Sequence, residues 1–410
     1  MAVQIQATAM GWQVYDSARA HGQSIAEGAF MLGLVGLAQF LPLLVLSLFG
    51  GQAADRYNRR LILVACIGAK AVIVLWLALV SGMSLGPDII IPAIFAAAVS
   101  AGMINAFLPP AASALLPMLL PREELPKGIA WSSLSFQSSM IVGPVVGGLL
   151  YDVGAAVPYL SAFALLLVAG VLMFTLKPPA QEPVKDARTI SMIMEGLRYV
   201  WSNKIVLGAI SLDLVVVLLA GAVALLPVFA RDILHVGPSE MGILRSAMGV
   251  GAASVALWLA VSPLRRRVGL WMFGSTIVFG LATIVFGFSQ SLWITAAALA
   301  IANGADQISV YVRSSLIQLA TPDAMRGRVA AVSFVFISAS NEFGDFEAGV
   351  MARIFGPVLA VTGGGVAAVL ASAWWMRLFP QLAQADGFEI QELPVESQSS
   401  VKLNQEVEKS

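Results

Sequence analysis

The sequence predicts an all-α membrane protein whose chain crosses the bilayer about twelve times. Of its 410 residues, 58% are hydrophobic and only 12% are charged, whereas a soluble domain carries about 25% charged residues. Apolar runs of about 20 residues, the length that crosses a hydrocarbon core of about 30 Å, follow one another along almost the whole chain. In that core each backbone polar group must be satisfied within the protein, so these runs are expected to form helices.

Eleven complete spans lie between charged residues or Pro and Gly breaks. They cover 28–50, 61–82, 89–112, 128–151, 157–176, 205–229, 241–262, 270–288, 292–317, 328–352 and 357–379. The apolar stretch from Ala2 to Tyr15 is only about 22 Å long at about 1.5 Å per residue. We therefore interpret it as the outer half of a truncated first span, with Met1 as an internal start.

The basic residues predict the orientation of the chain. Lys and Arg accumulate in cytoplasmic loops, and one alternating set of loops holds most of the 24 basic residues, among them Arg56, Arg122 and Arg265. We therefore expect a multi-pass inner-membrane protein with both termini in the cytoplasm. The 24 basic and 24 acidic residues cancel, so no net charge attracts nucleic acid.

The chain contains an internal repeat of the kind that some secondary transporters carry. At a constant offset of 201 residues, identical residues align over about fifty positions. They include Ala101 with Ala302, Leu115 with Leu316, Pro121 with Pro322, Ala130 with Ala331, Gly143 with Gly344, and Gly148 with Gly349. We predict two six-helix bundles related by this parallel repeat, over 1–176 and 205–379. A cytoplasmic linker, 177–204, would join them, and a disordered tail, 380–410, would follow.

The loop after the second span carries a recognisable charge pattern. Residues 51–60 read Gly-Gln-Ala-Ala-Asp-Arg-Tyr-Asn-Arg-Arg, which resembles the cytoplasmic loop signature of the major facilitator superfamily, G-x-x-x-D-R-x-G-R-R. Asn58 stands where that pattern usually has Gly. Opposite charges at neighbouring helix ends suit a charge latch, with these candidate residues: Gly51, Asp55, Arg56, Arg59 and Arg60. A basic stop-transfer cluster would explain the arginines but not the aspartate.

A second pattern lies in the fifth span. Gly143, Pro144, Gly147 and Gly148 resemble the G-P-x-x-G-G element of exporters in that superfamily. Glycines one turn apart let helix backbones approach closely, and a proline inside a helix removes a hydrogen bond and favours a bend. Ordinary helix packing is the alternative interpretation of this element.

From Gln4 to about Phe379 the chain resembles the enterobactin-exporter branch of the superfamily. The resemblance implies the major facilitator fold, twelve spans and alternating access. It also implies antiport, in which the proton gradient drives efflux of a small amphipathic molecule such as a siderophore or a drug. We expect a monomer without a cofactor. The loop containing Arg265, Arg266 and Arg267 has no clear acidic partner, so a second latch is not expected.

Acidic residues inside the spans are candidates for proton coupling or substrate binding. Each ionisable residue near the bilayer centre costs about 2.5 to 3.5 kcal/mol on insertion scales, and such residues often form proton relays. The candidates are Asp213, Asp306, Glu342, Asp345 and Glu347. Glu342 and Asp345 share a helix face, and the repeat places Asp345 at the position of Pro144. The alternatives are that these acids lie at the outer membrane interface, or that they form hydrogen bonds to Asn303, Gln307 or Asn341 for helix packing alone.

Two basic residues inside the spans receive different expectations. Arg313 follows Asp306 by two turns, about 10 Å along a straight helix, which is too far for a direct pair. We expect its long side chain to snorkel to the cytoplasmic edge. For Lys70, the sequence does not decide between snorkelling and a place in the cavity.

Two other classes of function are weaker alternatives. A membrane-embedded enzyme would need a catalytic or metal set, but His21 and His235 lie outside the spans and no H-E-x-x-H motif occurs. Cys66 is the single cysteine, so neither a disulfide nor a thiol metal site is expected. A membrane sensor or a non-transporting partner protein would lack transport in reconstituted vesicles. We therefore predict a transporter that is not an enzyme and binds no metal.

Overall fold

The computed structural model describes residues 1–83, 85–121, 123–176, 189–221 and 223–387, and the regular elements in these ranges are helices. The first half contains α1 (Ala2–Ala20), α2 (Ile25–Arg56), α3 (Arg59–Gly82), α4 (Pro87–Leu119), α5 (Leu125–Val153) and α6 (Val157–Thr175). The second half contains α7 (Thr189–Ser202), α8 (Lys204–Ala220), α9 (Leu226–Val228), α10 (Pro238–Val261), α11 (Val268–Phe288), α12 (Leu292–Ala320), α13 (Asp323–Phe355), α14 (Pro357–Leu378) and α15 (Pro380–Ala383).

Nine helical segments in the described ranges are long and apolar enough to cross a membrane. The three other long helices are α1, α12 and α13. Four of the five candidate acids lie on the last two, Asp306 on α12 and Glu342, Asp345 and Glu347 on α13. Ten of the eleven predicted spans each coincide with one helix, and the exception is 205–229. The first helix extends five residues beyond Tyr15, and α2, α4 and α13 also extend beyond the predicted ends of their spans.

Local sequence explains where several helices begin. Ser24 caps α2 by accepting a hydrogen bond from the Glu27 amide, and the Glu27 carboxylate accepts one from the Ser24 amide. The side chain of Asn58 caps α3 in the same manner, by accepting from the amides of Arg60 and Leu61. Such caps satisfy backbone donors that have no partner within the helix.

The seventh span is not the continuous helix predicted over 205–229. The helix α8 ends at Ala220, and after Gly221 the chain forms a 3₁₀ turn (Val223–Leu225), the short α9 and a π turn (Phe229–Ile233). The backbones of α8 and α13 approach closely here, because a Cβ on Gly344 would lie 3.1 Å from the carbonyl oxygen of Val217. This close approach and the missing amide of Pro227 explain a break that apolar composition alone does not indicate.

The helices form two bundles, in agreement with the predicted fold class. In the first, α2 packs on α4, α3 on α4 and α6, and α1 on α5 and α6. In the second, α10 packs on α12, α11 on α12 and α14, and α8 on α13 and α14. The bundles meet along two seams, which we name the α2–α13 seam and the α5–α10 seam.

The predicted linker and tail are only partly described. Residues 177–188 and 388–410 lie outside the described ranges. The second half of the linker forms α7, which packs on α13 and α8 and carries an ion pair between Glu195 and Arg328. The prediction that the tail is disordered from residue 380 is wrong for 380–387. There Leu382 is buried, and Ala385 accepts a hydrogen bond from the Gly269 amide at 3.1 Å.

Candidate transport site

Glycines bring the two helices of the α2–α13 seam into backbone contact. A Cβ on Gly33 would lie 3.1 Å from the Cα of Gly349 and 3.2 Å from the carbonyl oxygen of Asp345. One turn further along α2, a Cβ on Gly36 would lie 3.3 Å from the Cβ of Asp345. Because Gly33 and Gly36 have no side chains, the backbone of α2 can lie directly against the part of α13 that carries Asp345.

The α5–α10 seam repeats this arrangement without the acids. Gly242 of α10 lies against the backbone of Pro144, and Gly148 of α5 lies against the backbone of Pro238. Gly143 and Gly147 face the other way, toward α1, where a Cβ on Gly147 would lie 3.0 Å from the carbonyl oxygen of Ile5. The four residues of the predicted exporter element thus connect α5 to a helix of its own bundle and to one of the other bundle.

Glu342 and Asp345 lie where the bundles meet. Glu342 accepts a hydrogen bond from the side-chain amide of Gln39 on α2, at 3.2 Å, so this contact crosses from one bundle to the other. The Asp345 carboxylate accepts a hydrogen bond from the backbone amide of Ala224 in the broken seventh span. It also interacts electrostatically with Glu342 and with Arg245 on α10. We name these five residues the acidic junction.

The other three candidate acids do not join the acidic junction. Asp306 is half-buried on α12, and no basic side chain in the described residues lies within 4 Å of it. Glu347 is half-buried on α13, and no described hydrogen bond connects it to Glu342 or Asp345. Asp213 forms an ion pair with Arg313, which joins α8 to α12 inside the second bundle.

The ion pair corrects the expectation that Arg313 snorkels to the membrane edge. Its side chain is 4% exposed and that of Asp213 is 6% exposed. A buried guanidinium requires a counter-charge, because desolvation of an unpaired ion is very costly. Asp213 supplies it, so this candidate acid has a charge partner that the sequence did not indicate.

Lys70 is buried in the first bundle and does not reach the membrane edge. Its ammonium group donates a hydrogen bond to the side-chain oxygen of Asn105 on α4, at 3.0 Å. The repeat aligns Asn105 with Asp306. The two corresponding positions therefore differ. In the first bundle, Asn105 accepts a hydrogen bond from Lys70, whereas in the second, Asp306 has no ion-pair partner among the described residues.

The arginines of the predicted latch hold helix ends within the first bundle. Arg59 donates to the carbonyl oxygen of Ala114 on α4 at 3.0 Å. Arg60 donates to the carbonyl oxygens of Met173 and Phe174 in the last turn of α6, where backbone acceptors lack a partner within the helix. Arg56 is exposed and Gly51 has open space around it. The Asp55 side chain lies outside the described residues.

The two ends of the molecule differ in how closely the bundles approach. We call the end that holds Arg59 and Arg60 the arginine-rich end. Toward it, each residue of α5 from 131 to 136 is exposed, with Trp131 at 69%. The other half of α5 is packed, since Gly143, Pro144, Gly147 and Gly148 are buried. The bundles therefore touch at the opposite end, the closed end, and stand apart at the arginine-rich end.

Sequence reasoning missed three members of the acidic junction. Arg245 gave a signal, an ionisable residue inside an apolar run, but it had no acid at helical spacing in its own span. Gln39 is a single polar residue in an apolar run. The Ala224 amide gave no signal, because the identity of a residue does not show that its backbone donor is free.

Comparisons with known proteins agree with this geometry. A family model described as a transmembrane secretion effector matches residues 3–407. The chain belongs to this family of the major facilitator superfamily. Enterobactin exporter EntS of Citrobacter koseri is 26% identical over 355 residues, which cover 85% of this chain and 82% of that protein. Enterobactin exporter EntS of Shigella boydii is 27% identical over 338 residues, covering 81% and 78%.

Solved structures show the same fold. A bacterial homolog to the human lysosomal transporter Spinster, inward-facing and unoccupied, has a TM-score of 0.71 at 15% identity, covering 93% of this chain and 95% of that one. A D-xylose-proton symporter has a TM-score of 0.70 at 13% identity, covering 93% and 97%. The predicted fold and family are thereby confirmed: the protein is a secondary transporter, a multi-pass protein of the inner membrane, and not an enzyme.

Proposed function

We propose that this transporter exports a small amphipathic molecule, of siderophore or drug type, in exchange for protons by alternating access. The observation that carries the proposal is the acidic junction. Glu342 and Asp345 lie on the seam between the bundles, and Gln39 of one bundle donates to Glu342 of the other. Because carboxylates in such surroundings can take up and release protons, protonation at this seam would change a contact that moves during transport.

The membrane orientation supports the same direction of transport. The arginine-rich end is cytoplasmic if basic loops lie inside, so both termini are cytoplasmic and the open side of the protein faces the cytoplasm. A substrate made in the cell would enter from this side. The curated relatives are enterobactin exporters, which favours a siderophore-like substrate, and exposed Trp131 and Phe136 on α5 suit an aromatic one.

The remaining predictions fit into this proposal as parts of one cycle. The two bundles, 1–176 and 205–379, would rock as bodies, with 177–204 as the connection between them. The loop residues from Gly51 to Arg60 would hold the arginine-rich end when it closes. Close backbone packing would let α5 move relative to α10 and α1, and the residues that allow it are Gly143, Pro144, Gly147 and Gly148.

Transport in proteoliposomes with an imposed pH gradient tests the proposal. Compounds to screen are catecholate siderophores and lipophilic drugs. With a transported compound, we expect Glu342→Gln or Asp306→Asn to abolish proton-driven uphill transport, because an amide side chain cannot take up and release a proton at physiological pH. Insertion and folding should be unchanged, as judged by size-exclusion chromatography.

The matched control is Glu195→Gln, which removes a surface acid on α7 outside the seams. It should leave uphill transport unchanged. Full uphill transport by both Glu342→Gln and Asp306→Asn would remove these residues as coupling groups. If the unmodified protein moves none of the compounds under any gradient, the assignment of proton-coupled efflux of these substrates is wrong.

A further inference from the structure

A set of charged contacts joins the two bundles at the closed end. Its members are Tyr15, Asp16 and Arg19 in the last two turns of α1, and Arg231 and Asp232 in the π turn after α9. We name this set the closed-end network. Neither the loop signature nor the exporter element includes any of these residues.

The contacts of the closed-end network are reciprocal. Arg231 of the second bundle lies 2.5 Å from the Asp16 carboxylate of the first, and it also donates to the Asp16 carbonyl oxygen at 3.2 Å. Asp232 of the second bundle accepts from the Tyr15 hydroxyl and, at 3.1 Å, from Arg19 of the first. Each bundle therefore contributes a cation and an anion, and the network has no net charge.

The backbone places these residues where they can meet. Tyr15 and Arg19 are four residues apart and lie on one helix face. Arg231 and Asp232 are consecutive, and they contact different residues of α1 from a π turn, a rare conformation that is frequent at functional sites. The π turn is closed by a hydrogen bond from the Leu234 amide to the Phe229 carbonyl oxygen at 2.8 Å. After it, next to His235 with a φ of 54°, the Val236 amide donates to the Ala230 carbonyl oxygen at 2.8 Å.

Burial gives the network strength without making it permanent. Asp232 is 14% exposed and Arg19 is 27% exposed, so their interaction is partly shielded from water. Asp16 and Arg231 are more open, at 44% and 32%. Partly buried pairs stabilise a contact more than surface pairs do, whereas separating a fully buried pair would leave buried charges without partners and would be very costly.

A neighbouring contact at the same end also crosses between the bundles. The Arg353 guanidinium of α13 lies 4.6 Å from the centre of the Phe30 ring on α2, and this ring contacts Phe346. At the other end, the hydrogen bonds of Arg60 end on α6 of its own bundle. Among the described residues, charged contacts between the bundles therefore occur at the closed end, where the bundles touch.

We propose that the closed-end network is the outer gate of the transport pathway. It holds the closed end shut while the cytoplasmic side is open, and its contacts break when the bundles tilt and the substrate leaves. This inference rests on the proposed alternating access. It differs from a purely structural role, in which loss of the contacts would lower stability without changing which side of the protein is open.

Cysteine labelling measures the open side directly. Cys66 is the single cysteine, so Cys66→Ala gives a background without thiols. Ala29→Cys then places a reporter on α2 at a fully buried position, whose carbonyl oxygen faces Gly349 across the seam. A membrane-impermeant maleimide is added to right-side-out and to inside-out membrane vesicles, without substrate or gradient.

We expect Arg231→Ala to increase labelling from the outer side about tenfold, the factor that corresponds to about 1.4 kcal/mol in the equilibrium between states. Tyr15→Phe, which removes a single hydroxyl group, should give a smaller increase in the same direction. The double substitution Asp16→Arg with Arg231→Asp should restore slow labelling, because it reverses the pair and keeps the attraction.

The polar contact between the side chains of His21 and Asp88 provides a matched control. It lies at the same end, at 3.3 Å, but connects two elements of the first bundle. Asp88→Asn should leave labelling unchanged. Labelling of Arg231→Ala or Tyr15→Phe that equals the parent rate, or an equal increase in Asp88→Asn, would overturn the gate.

The outcomes separate the gate from the proposed function. Labelling needs no transported compound, so it reports on the gate even if siderophores and drugs are not substrates. An Arg231→Ala variant that elutes as aggregate is replaced by Tyr15→Phe and the reversed pair, which keep the charges balanced. If folded Tyr15→Phe labels at the parent rate, or the folded reversed pair labels faster than the parent, the contacts do not act as a gate and the proposal is wrong.

Discussion

Charged side chains inside this membrane protein have two arrangements. Asp213 and Arg313 are almost fully buried and pair with each other within the second bundle. Glu342 and Asp345 are half-buried, and their partners come from different bundles: Gln39 of the first for Glu342, and Ala224 and Arg245 of the second for Asp345. The first arrangement stabilises one bundle and need not change during transport, whereas the second changes whenever the bundles move. For these four residues, we propose that position relative to the seam, more than burial, separates structural charges from coupling charges.

The structural assignment predicts a large loss of stability when one partner of the buried pair is removed. Asp213→Asn should destabilise the protein by about 3 to 5 kcal/mol, because it leaves the Arg313 guanidinium buried without a counter-charge. Asp213→Leu with Arg313→Met should recover most of that loss, since it removes both charges. Thermal unfolding in detergent measures these changes.

The exposed pair between Arg328 and Glu195 is the control for this experiment. The side chain of Glu195 is 50% exposed, so Glu195→Gln should change stability by at most about 1 kcal/mol. Equal unfolding temperatures for Asp213→Asn and Glu195→Gln would contradict a structural role for the buried pair.

At the scale of elements, the two seams are built alike from different residues. The repeat aligns Gly344 with Gly143, Asp345 with Pro144 and Gly349 with Gly148. In the structure, Asp345 lies at Gly36 of α2 and Pro144 lies at Gly242 of α10. Corresponding positions of the repeat thus contact glycines in both seams. One copy carries a carboxylate and the other a proline, so of these two aligned positions only the one at the α2–α13 seam is acidic.

Backbone contact at the α2–α13 seam predicts a steric effect on closure. Gly33→Leu should disfavour the closed arrangement by about 1 to 3 kcal/mol, because the side chain would overlap the backbone of Gly349. We expect lower transport rates together with faster labelling of buried seam positions from the outer side. Gly363→Leu on α14, where a Cβ has open space, should change neither. Unaltered transport by Gly33→Leu would show that the seam tolerates separation.

For the whole molecule, relative motion of the two bundles predicts that a cross-link between them stops transport. Phe30 and Phe346 lie on opposite sides of the α2–α13 seam with ring centroids 6.5 Å apart. In the Cys66→Ala background, Phe30→Cys with Phe346→Cys joined by a short bifunctional thiosulfonate should abolish transport, and reduction should restore it.

A pair within one helix separates the cross-link from the substitutions themselves. Phe343 and Phe346 are both on α13, with ring centroids 5.9 Å apart. A link between cysteines at these two positions should leave transport close to that of the uncross-linked protein. Transport that continues at full rate with the bundles linked through Phe30→Cys and Phe346→Cys would contradict alternating access.

The sequence by itself determined the class of protein, the helices and the family resemblance. A bilayer admits few alternatives to apolar helices, so composition and run length were sufficient, and caps such as Ser24 and Asn58 fixed helix starts locally. The comparisons confirm the fold and the family. The latch, the exporter element and the coupling acids remain predictions about function, although their residues could be named from motifs and from charge in apolar runs.

Only the tertiary structure decided which charges meet. The partner of Arg313 is 100 residues away in the chain, at Asp213, and Asp345 interacts with an amide from a broken helix and with Arg245 of another helix. Pairings between helices depend on rotation and depth in the bundle, which hydropathy does not encode. The contacts between α1 and the π turn likewise depend on how the helices pack, so no local residue pattern could indicate them. The break after Ala220 depends partly on such packing, and Pro227 was its only local signal.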